Sequence, residues 1–429
     1  MSNPFSLEIK LKQHTPIIHF QHDQAGATLR ATEVKARLDR FITQTLKEAY
    51  PQLFKEFSSV IDKCFYKTKN GFSGDYKLKI ISSQHKEFIP ASYVKRDDAN
   101  TIWRITDAEL LDKSPFFANS NGIKTGLGVG AEGIAPFLNG DFSSIRKALL
   151  SERISLVFSF FRTDLKGLLN KLLPIFLSTN NFGTRQTKSF GCYTDSRTDR
   201  KKFEELISGN QLIKAIYKKE LPNNFLQKKL EILQADYQLL KGGKSFGKYE
   251  KSLLWRYLCG SSRGGISWEK KMIKEKIKEE YPKVWNAIKY NSKKAKTLRI
   301  AQCQDGKKGN YYFIRALLGL AEYIEFIPWN SQNSIKVSIT DLSGKMERFP
   351  SPITFKIFQS KLYLIAYQPV CFSNDEYSFE FELDARIDGK YYTGKLGDSI
   401  QVPGDFDISD FLTYALSQNS PIDGYQRIK

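Results

Sequence analysis

Histidine is scarce in this chain: four residues in 429, beside three methionines and five cysteines. So few histidines leave room for few metal or acid/base sites. The cysteines, at 64, 192, 259, 303 and 371, are odd in number, widely spaced and form no CxxC pair. That excludes a disulfide scaffold and a cysteine-only zinc ribbon, and it fits a reducing compartment. Long apolar runs are also missing. The run from Ile154 to Phe161 is about eight residues, where a membrane-spanning helix needs about 20. No membrane association is expected. The opening Met1-Ser2-Asn3-Pro4-Phe5 lacks the basic-then-apolar layout of an export signal, so a cytoplasmic location is expected. HExxH does not occur. The glycine-rich stretch 119–140 lacks the Gly-Lys-Ser/Thr ending of a mononucleotide loop, and its Lys124 comes before all its glycines but Gly122. It reads as a loop, and neither a cofactor nor a metal site is expected.

Positive charge is what the chain has in excess. Lys and Arg number 66 against 46 Asp and Glu, a net +20. Residues 1–195 hold 27 basic and 19 acidic residues, 196–300 hold 26 and 11, and 301–429 hold 13 and 16. Three quarters of the excess therefore sits in one quarter of the chain. Such an excess repels itself in a compact state, and a polyanion, most often nucleic acid, is its usual counterpart. A solvated lysine-rich helical surface is the plainer alternative.

Hydrophobic periodicity predicts a mixed α+β fold, and the length accommodates about two to four domains. Residues 6–12 alternate as a half-buried strand does. Residues 32–49 place Val34, Leu38, Phe41, Ile42 and Leu46 on one helical face, with Thr32 as a plausible N-cap. Strands are expected over 76–82 and 154–161, and a helix over 163–178. Between 198 and 300 the pattern is helical and basic, with helices expected over 201–207, 211–219, 225–240 and 269–290. A helix within 311–326, strands over 334–340, 353–358, 361–367 and 377–383, and a helix over 406–417 complete the reading. The domains expected are 1–195, a basic helical segment 196–300, and 301–429.

Two candidate chemistries follow. His14, His19 and His22 cluster near a strand end; proton transfer by such a pair suffices for RNA cleavage. Their being polar residues of a loop is the plainer explanation. The segment Phe182-Gly183-Thr184-Arg185-Gln186-Thr187-Lys188-Ser189-Phe190-Gly191-Cys192-Tyr193 says more. Gly183 and Gly191 permit close approach to a sugar–phosphate chain. Arg185 and Lys188 can neutralise phosphates. Phe182, Phe190 and Tyr193 are candidates to stack on bases.

Several islands resemble the RAMP superfamily of CRISPR-associated proteins. Leu11-Lys12-Gln13-His14-Thr15-Pro16-Ile17-Ile18 is similar to its first strand. Ala27-Thr28-Leu29-Arg30-Ala31-Thr32-Glu33-Val34-Lys35 is similar to the entry into its first helix. Residues 182–191 resemble its glycine-rich loop, with Ser189 standing where glycine is usual. Glu347-Arg348-Phe349-Pro350-Ser351-Pro352-Ile353 looks like a strand entry in the first RAMP subunit of type III-B (Cmr) effector complexes. The resemblance implies tandem ferredoxin-like, RRM-like modules with a basic helical insertion. It also implies a subunit that is not itself the nuclease, contacts the 3′ part of the CRISPR RNA, helps capture target RNA for antiviral defence, and assembles with other RAMP subunits. Arg30, Lys35, Arg37, Arg185 and Lys188 would then meet backbone phosphates. A processing endoribonuclease of the same superfamily, using a histidine among 14–22, is the alternative. Guide recognition in such complexes rests on backbone and shape, leaving sequence to base pairing.

Overall fold

The computed structural model describes residues 3–19, 26–69, 71–90, 109–111, 147–223, 225–244, 250–259, 266–288, 311–319, 323–330, 332–342, 351–368, 377–418 and 420–429. The chain forms two compact units. One comprises Met1–Gln234, Thr354–Ile365 and Tyr425–Lys429; the other comprises Ala235–Ile353 and Ala366–Gly424. The divisions do not fall at residues 195 and 300.

The first unit opens with a βαββαβ succession. Strand β1 (Ser6–Gln13) leads to α1 (Ala31–Arg40), which continues through a π turn at Phe41–Thr45, and to α2 (Pro51–Cys64). Strands β2 (Tyr76–Pro90) and β3 (Ala148–Phe160), helix α3 (Asp164–Thr179) and strand β4 (Tyr193–Asp195) follow. The strands lie in the order β2-β3-β1-β4. Neighbours are antiparallel, with Leu78 opposite Phe158, Leu7 opposite Phe158 and Leu11 opposite Asp195. This is the ferredoxin-like arrangement. Alternation along each strand turns Ile9, Leu11, Ile154, Leu156, Phe158 and Tyr76 inward, where Val34, Leu38, Leu168, Leu172 and Phe176 of the helices cover them. Each such buried side chain stabilises the unit by about 1.5–3 kcal/mol. Thr32 does not cap α1; Arg30 stands at that position and no side chain caps the helix.

A second sheet of the same unit is built from distant pieces. Helix α4 (Arg200–Ser208) is capped by Asp199, whose carboxylate accepts from the Lys202 backbone at 2.8 Å. Then comes β5 (Ile213–Glu220), a strand where the sequence pattern predicts a helix over 211–219. It lies between β7 (Lys361–Tyr367) and β8 (Tyr425–Arg427), with β6 (Ile353–Phe358) beyond β7. Neighbours on both sides bury Ala215, Ile216 and Tyr217 alike, which erases the alternation that marks a half-exposed strand. The Phe203 ring of α4 stacks on Phe358 at 4.6 Å, and Tyr363 donates to Glu204 at 2.9 Å.

The second unit contains a sheet in which Tyr323–Phe326, Ser334–Asp341, Ser378–Ile387 and Lys390–Lys395 follow one another, and Ile400–Gln401 also pairs with Ser378–Ile387. Helices Leu253–Leu258, Glu269–Glu280, Pro282–Ala287 and Ile408–Ala415 belong to the same unit. The helix expected over 269–290 is interrupted at Tyr281-Pro282, since proline cannot donate within a helix. The helix expected within 311–326 is a single 3-10 turn, Ile314–Leu318, followed by a strand. Asp407 caps Ile408–Ala415, accepting from the Asp410 backbone at 2.8 Å. Residues 119–140 and 347–350 lie outside the described residues.

Candidate nucleic-acid interface

The glycine-rich loop sits at the end of β1, and its shape follows from its backbone. Gly183 has φ +76° and Gly191 φ +62°. A Cβ on Gly191 would lie 1.9 Å from the Phe182 carbonyl oxygen, and one on Gly183 would lie 2.6 Å from that of Ile18. Only glycine fits at either position. The chain after β1 runs alongside: Gly191 donates to the Pro16 carbonyl at 2.8 Å and Thr184 to that of Ile18 at 2.7 Å. Arg185 and Ser189 also take left-handed backbones, φ +61° and +67°. Ser189 therefore adopts the conformation that the usual glycine would, and its hydroxyl accepts from the Ile357 backbone at 2.7 Å. Thr15 donates its hydroxyl to the Ser189 carbonyl.

Two side chains of α1 hold the loop from one side. Glu33 accepts from the Gly183 backbone at 2.9 Å. Arg37 donates to the Asn181 carbonyl at 2.5 Å and to the Asn180 side chain at 2.8 Å, and its guanidinium lies 4.9 Å from the centre of the Phe182 ring. On the other side Lys356 of β6, 1% exposed, donates to the carbonyls of Leu177 and Asn180 at 2.8 Å each and to the Asn181 side chain at 2.9 Å. Burial lowers its pKa.

These contacts bear on several of the sequence-based assignments. Phe182, Phe190 and Tyr193 are each 0% exposed. A ring with no open face cannot stack on a base, so all three serve the core instead; Phe182 meets Phe176 and Tyr193 edge-on. Lys188 is 8% exposed and its backbone bridges to Phe355. Lys35 is occupied by Asp39 at 2.8 Å, by the Gly74 carbonyl at 3.0 Å and by the Tyr76 ring at 4.1 Å. Lys35 and Arg37 both have structural partners, while 27% and 24% of their side chains stay exposed. Arg185 within the loop and Arg30 at the start of α1 are partly exposed as well. Glu33 and Lys356 were not legible as loop residues, because their partners lie far away in sequence.

The histidines are placed as follows. His14 hydrogen-bonds Thr194 at 2.8 Å and packs against the Phe358 ring at 4.8 Å. Burial, and then the nearby Lys356, Lys12 and Lys229, push its pKa down to about 3. His19 lies 3.7 Å from Glu33, and its pKa is lowered by burial, with Glu33 opposing. His22 lies outside the described residues. His85 contacts Ser151 at 3.0 Å.

The sequence model of the Cmr1 N-terminal domain matches residues 5–124 and 136–244, and that of the Cmr1 C-terminal domain matches residues 249–426. The chain belongs to the Cmr1 family. It is a RAMP protein of the type III-B CRISPR Cmr complex family, with an α+β fold. Among solved structures it is similar to the apo crystal structure of Cmr1 from Pyrococcus furiosus, at 9% identity and a TM-score of 0.37, covering 99% of this chain and 98% of that one. No curated protein sequence matches this chain. No described helix is long and apolar enough to cross a membrane.

Proposed function

We propose that this Cmr1-family chain is a non-catalytic RNA-binding subunit of a type III-B effector, contacting the 3′ part of the CRISPR RNA and helping to capture target RNA. The observation that carries the reading is a net charge of +20 on a chain of this family. Arg185 in the glycine-rich loop and Arg30 at the start of α1, both partly exposed, are the cations assigned to phosphates. A histidine held neutral, as His14 is by burial, makes a poor general acid at neutral pH. That favours binding over the alternative, a metal-independent processing endoribonuclease.

The test is one gel experiment on the purified chain with end-labelled single-stranded RNA carrying a CRISPR repeat and spacer, in EDTA. A salt-sensitive shift with intact RNA is expected. Replacing Arg30 and Arg185 by Ala should lower the slope of log K against log salt by about 1.4, at about 0.7 per phosphate on a single strand. Cleavage at one position that disappears in His14→Gln or His19→Gln would overturn the reading.

A further inference from the structure

The helices α1, α2 and α3 cover one face of the ferredoxin-like sheet. The other face carries an unusual set of side chains. Pointing outward from β2 are Lys77, Lys79, Ile81 and Ser83; from β3, Arg153, Ser155, Val157 and Ser159; from β1, Glu8, Lys10 and Lys12. Lys10, Lys12, Lys77, Lys79 and Arg153 are all exposed. None of the five makes an ion pair with a carboxylate among the described residues. Glu8 is the only acidic residue of the eleven.

The register arranges these cations in a line. Lys77 is level with Ser159, Lys79 with Val157 and Glu8, and Lys10 with Ser155 and Ile81; Lys12 lies one pleat further along β1, toward Arg153. At about 6.8 Å per pleat and about 4.8 Å between strands, the track crosses the sheet diagonally from Lys77 to Lys12 over roughly 22 Å. It is long enough for several nucleotides of extended chain. None of these eleven residues is Phe, Tyr or Trp, so the track itself holds a backbone rather than stacking bases; the exposed Phe161 lies just past the end of β3. The sheet of the second unit gives a contrast within the same molecule. Its strand Ser378–Ile387 alternates Glu380, Glu382, Asp384 and Arg386 opposite the buried Phe379, Phe381, Leu383 and Ala385. A half-exposed antiparallel sheet thus does not bring a basic outer face with it.

We propose that the outer face of the β2-β3-β1 sheet is a sequence-blind binding track for the sugar–phosphate backbone of single-stranded RNA, separate from the glycine-rich loop. The inference rests on the RNA-binding reading above and specifies where on the chain a strand runs. Charge complementarity selects the occupant: five cations along one line match a linear polyanion, and lysine stems on a pleated surface adapt to a chain whose bases point away.

The test compares two triple variants of the full chain that remove equal charge: K10Q/K77Q/K79Q on this face and K336Q/R386Q/K395Q in the second unit. End-labelled single-stranded RNA is the probe, titrated at several salt concentrations. Loss of three phosphate contacts lowers the salt slope by about 2 and the affinity at 0.1 M salt by about a hundredfold. The second-unit triple should stay within about threefold of the parent. The charge-keeping variant K10R/K77R/K79R should bind as the parent does, which separates lost contacts from lost folding. If the parent binds RNA and the face triple binds it equally well with the same slope, the track is refuted while the RNA-binding reading stands. Equal loss in both triples would reduce the effect to net charge and also refute it. A face triple with normal RNA binding that no longer joins other Cmr subunits would assign the face to an acidic protein surface, again overturning the proposal. A parent that binds no RNA at any salt would overturn both readings.

Discussion

Lys356 offers the sharpest test of how the glycine-rich loop is held. Its ammonium is enclosed, and its three acceptors are the Leu177 carbonyl in the last turn of α3, the Asn180 carbonyl just beyond it and the Asn181 side chain. Lys356→Met keeps the stem and removes the donors. Three charge-assisted hydrogen bonds are worth about 1.5–3 kcal/mol each, or roughly 6 kcal/mol together. Against that, the variant no longer buries a charge, which recovers several kcal/mol. Replacing a buried ion is often neutral when both partners become apolar. Here the carbonyls stay behind, buried and short of a donor, so the loss outweighs the gain by about 3 kcal/mol. Hydrogen exchange read by mass spectrometry on peptides covering 177–192 and 353–358 is the assay. The expected result is opening increased on the order of a hundredfold in both peptides. The pH dependence gives an independent check. Because burial lowers the folded pKa of Lys356, the unfolded chain binds more protons between that value and the ordinary lysine value. Wild-type stability should therefore rise with pH across that window, and K356M should lose this rise. Unchanged or slower exchange in K356M would refute the reasoning.

Two further outcomes are expected. Gly191→Ala places a Cβ against the Phe182 carbonyl at a backbone φ of +62°; left-handed strain together with rupture of the Phe182–Gly191 hydrogen bond should cost at least about 3 kcal/mol, measured as a lower urea midpoint. His14 has a folded pKa of about 3 against an ordinary 6.5, so the unfolded state takes up its proton first as pH falls. Stability should decline from pH 6.5 toward 3, by at most about 1.4 kcal/mol per pH unit, and His14→Gln should flatten that limb of a pH-dependent melt.

Local pattern made much of the first unit legible. The alternation of residues 6–12 and the stripe Val34, Leu38, Phe41, Ile42 both describe elements half-buried against one core, and period reports that situation directly. It fails where burial is two-sided, as in β5, whose apolar residues at 213, 216 and 217 fit a helix as well as a strand. The loop was recognisable from its glycines, whose left-handed backbones leave no substitute. Its aromatic residues misled, because sequence does not say whether a ring beside a glycine turns toward solvent or core. The loop's supports, Glu33 and Lys356, lie 150 residues before Gly183 and 175 after Asn181, beyond the reach of any local pattern. The sheet-face lysines are different. Pairs two apart, 10 with 12 and 77 with 79, are a period-2 signal already present in the two predicted strands; only the register aligning them needed the structure.

The position of β5 has a consequence for how the chain is made. Its sheet neighbours are β7 and β8, and Glu220 of β5 meets Lys361, 141 residues later. At roughly 5–20 residues per second, a ribosome needs about 7–30 seconds to deliver β7 after β5 has emerged. Throughout that interval β5 has neither of its sheet partners, and an uncovered strand edge invites pairing with another nascent chain. Slowing elongation between codons 220 and 361 would lengthen this exposure, and crowding messages on a polysome would multiply the available wrong partners. The yield of folded protein should therefore depend on translation speed across a stretch that contributes nothing to β5's own sheet until its end.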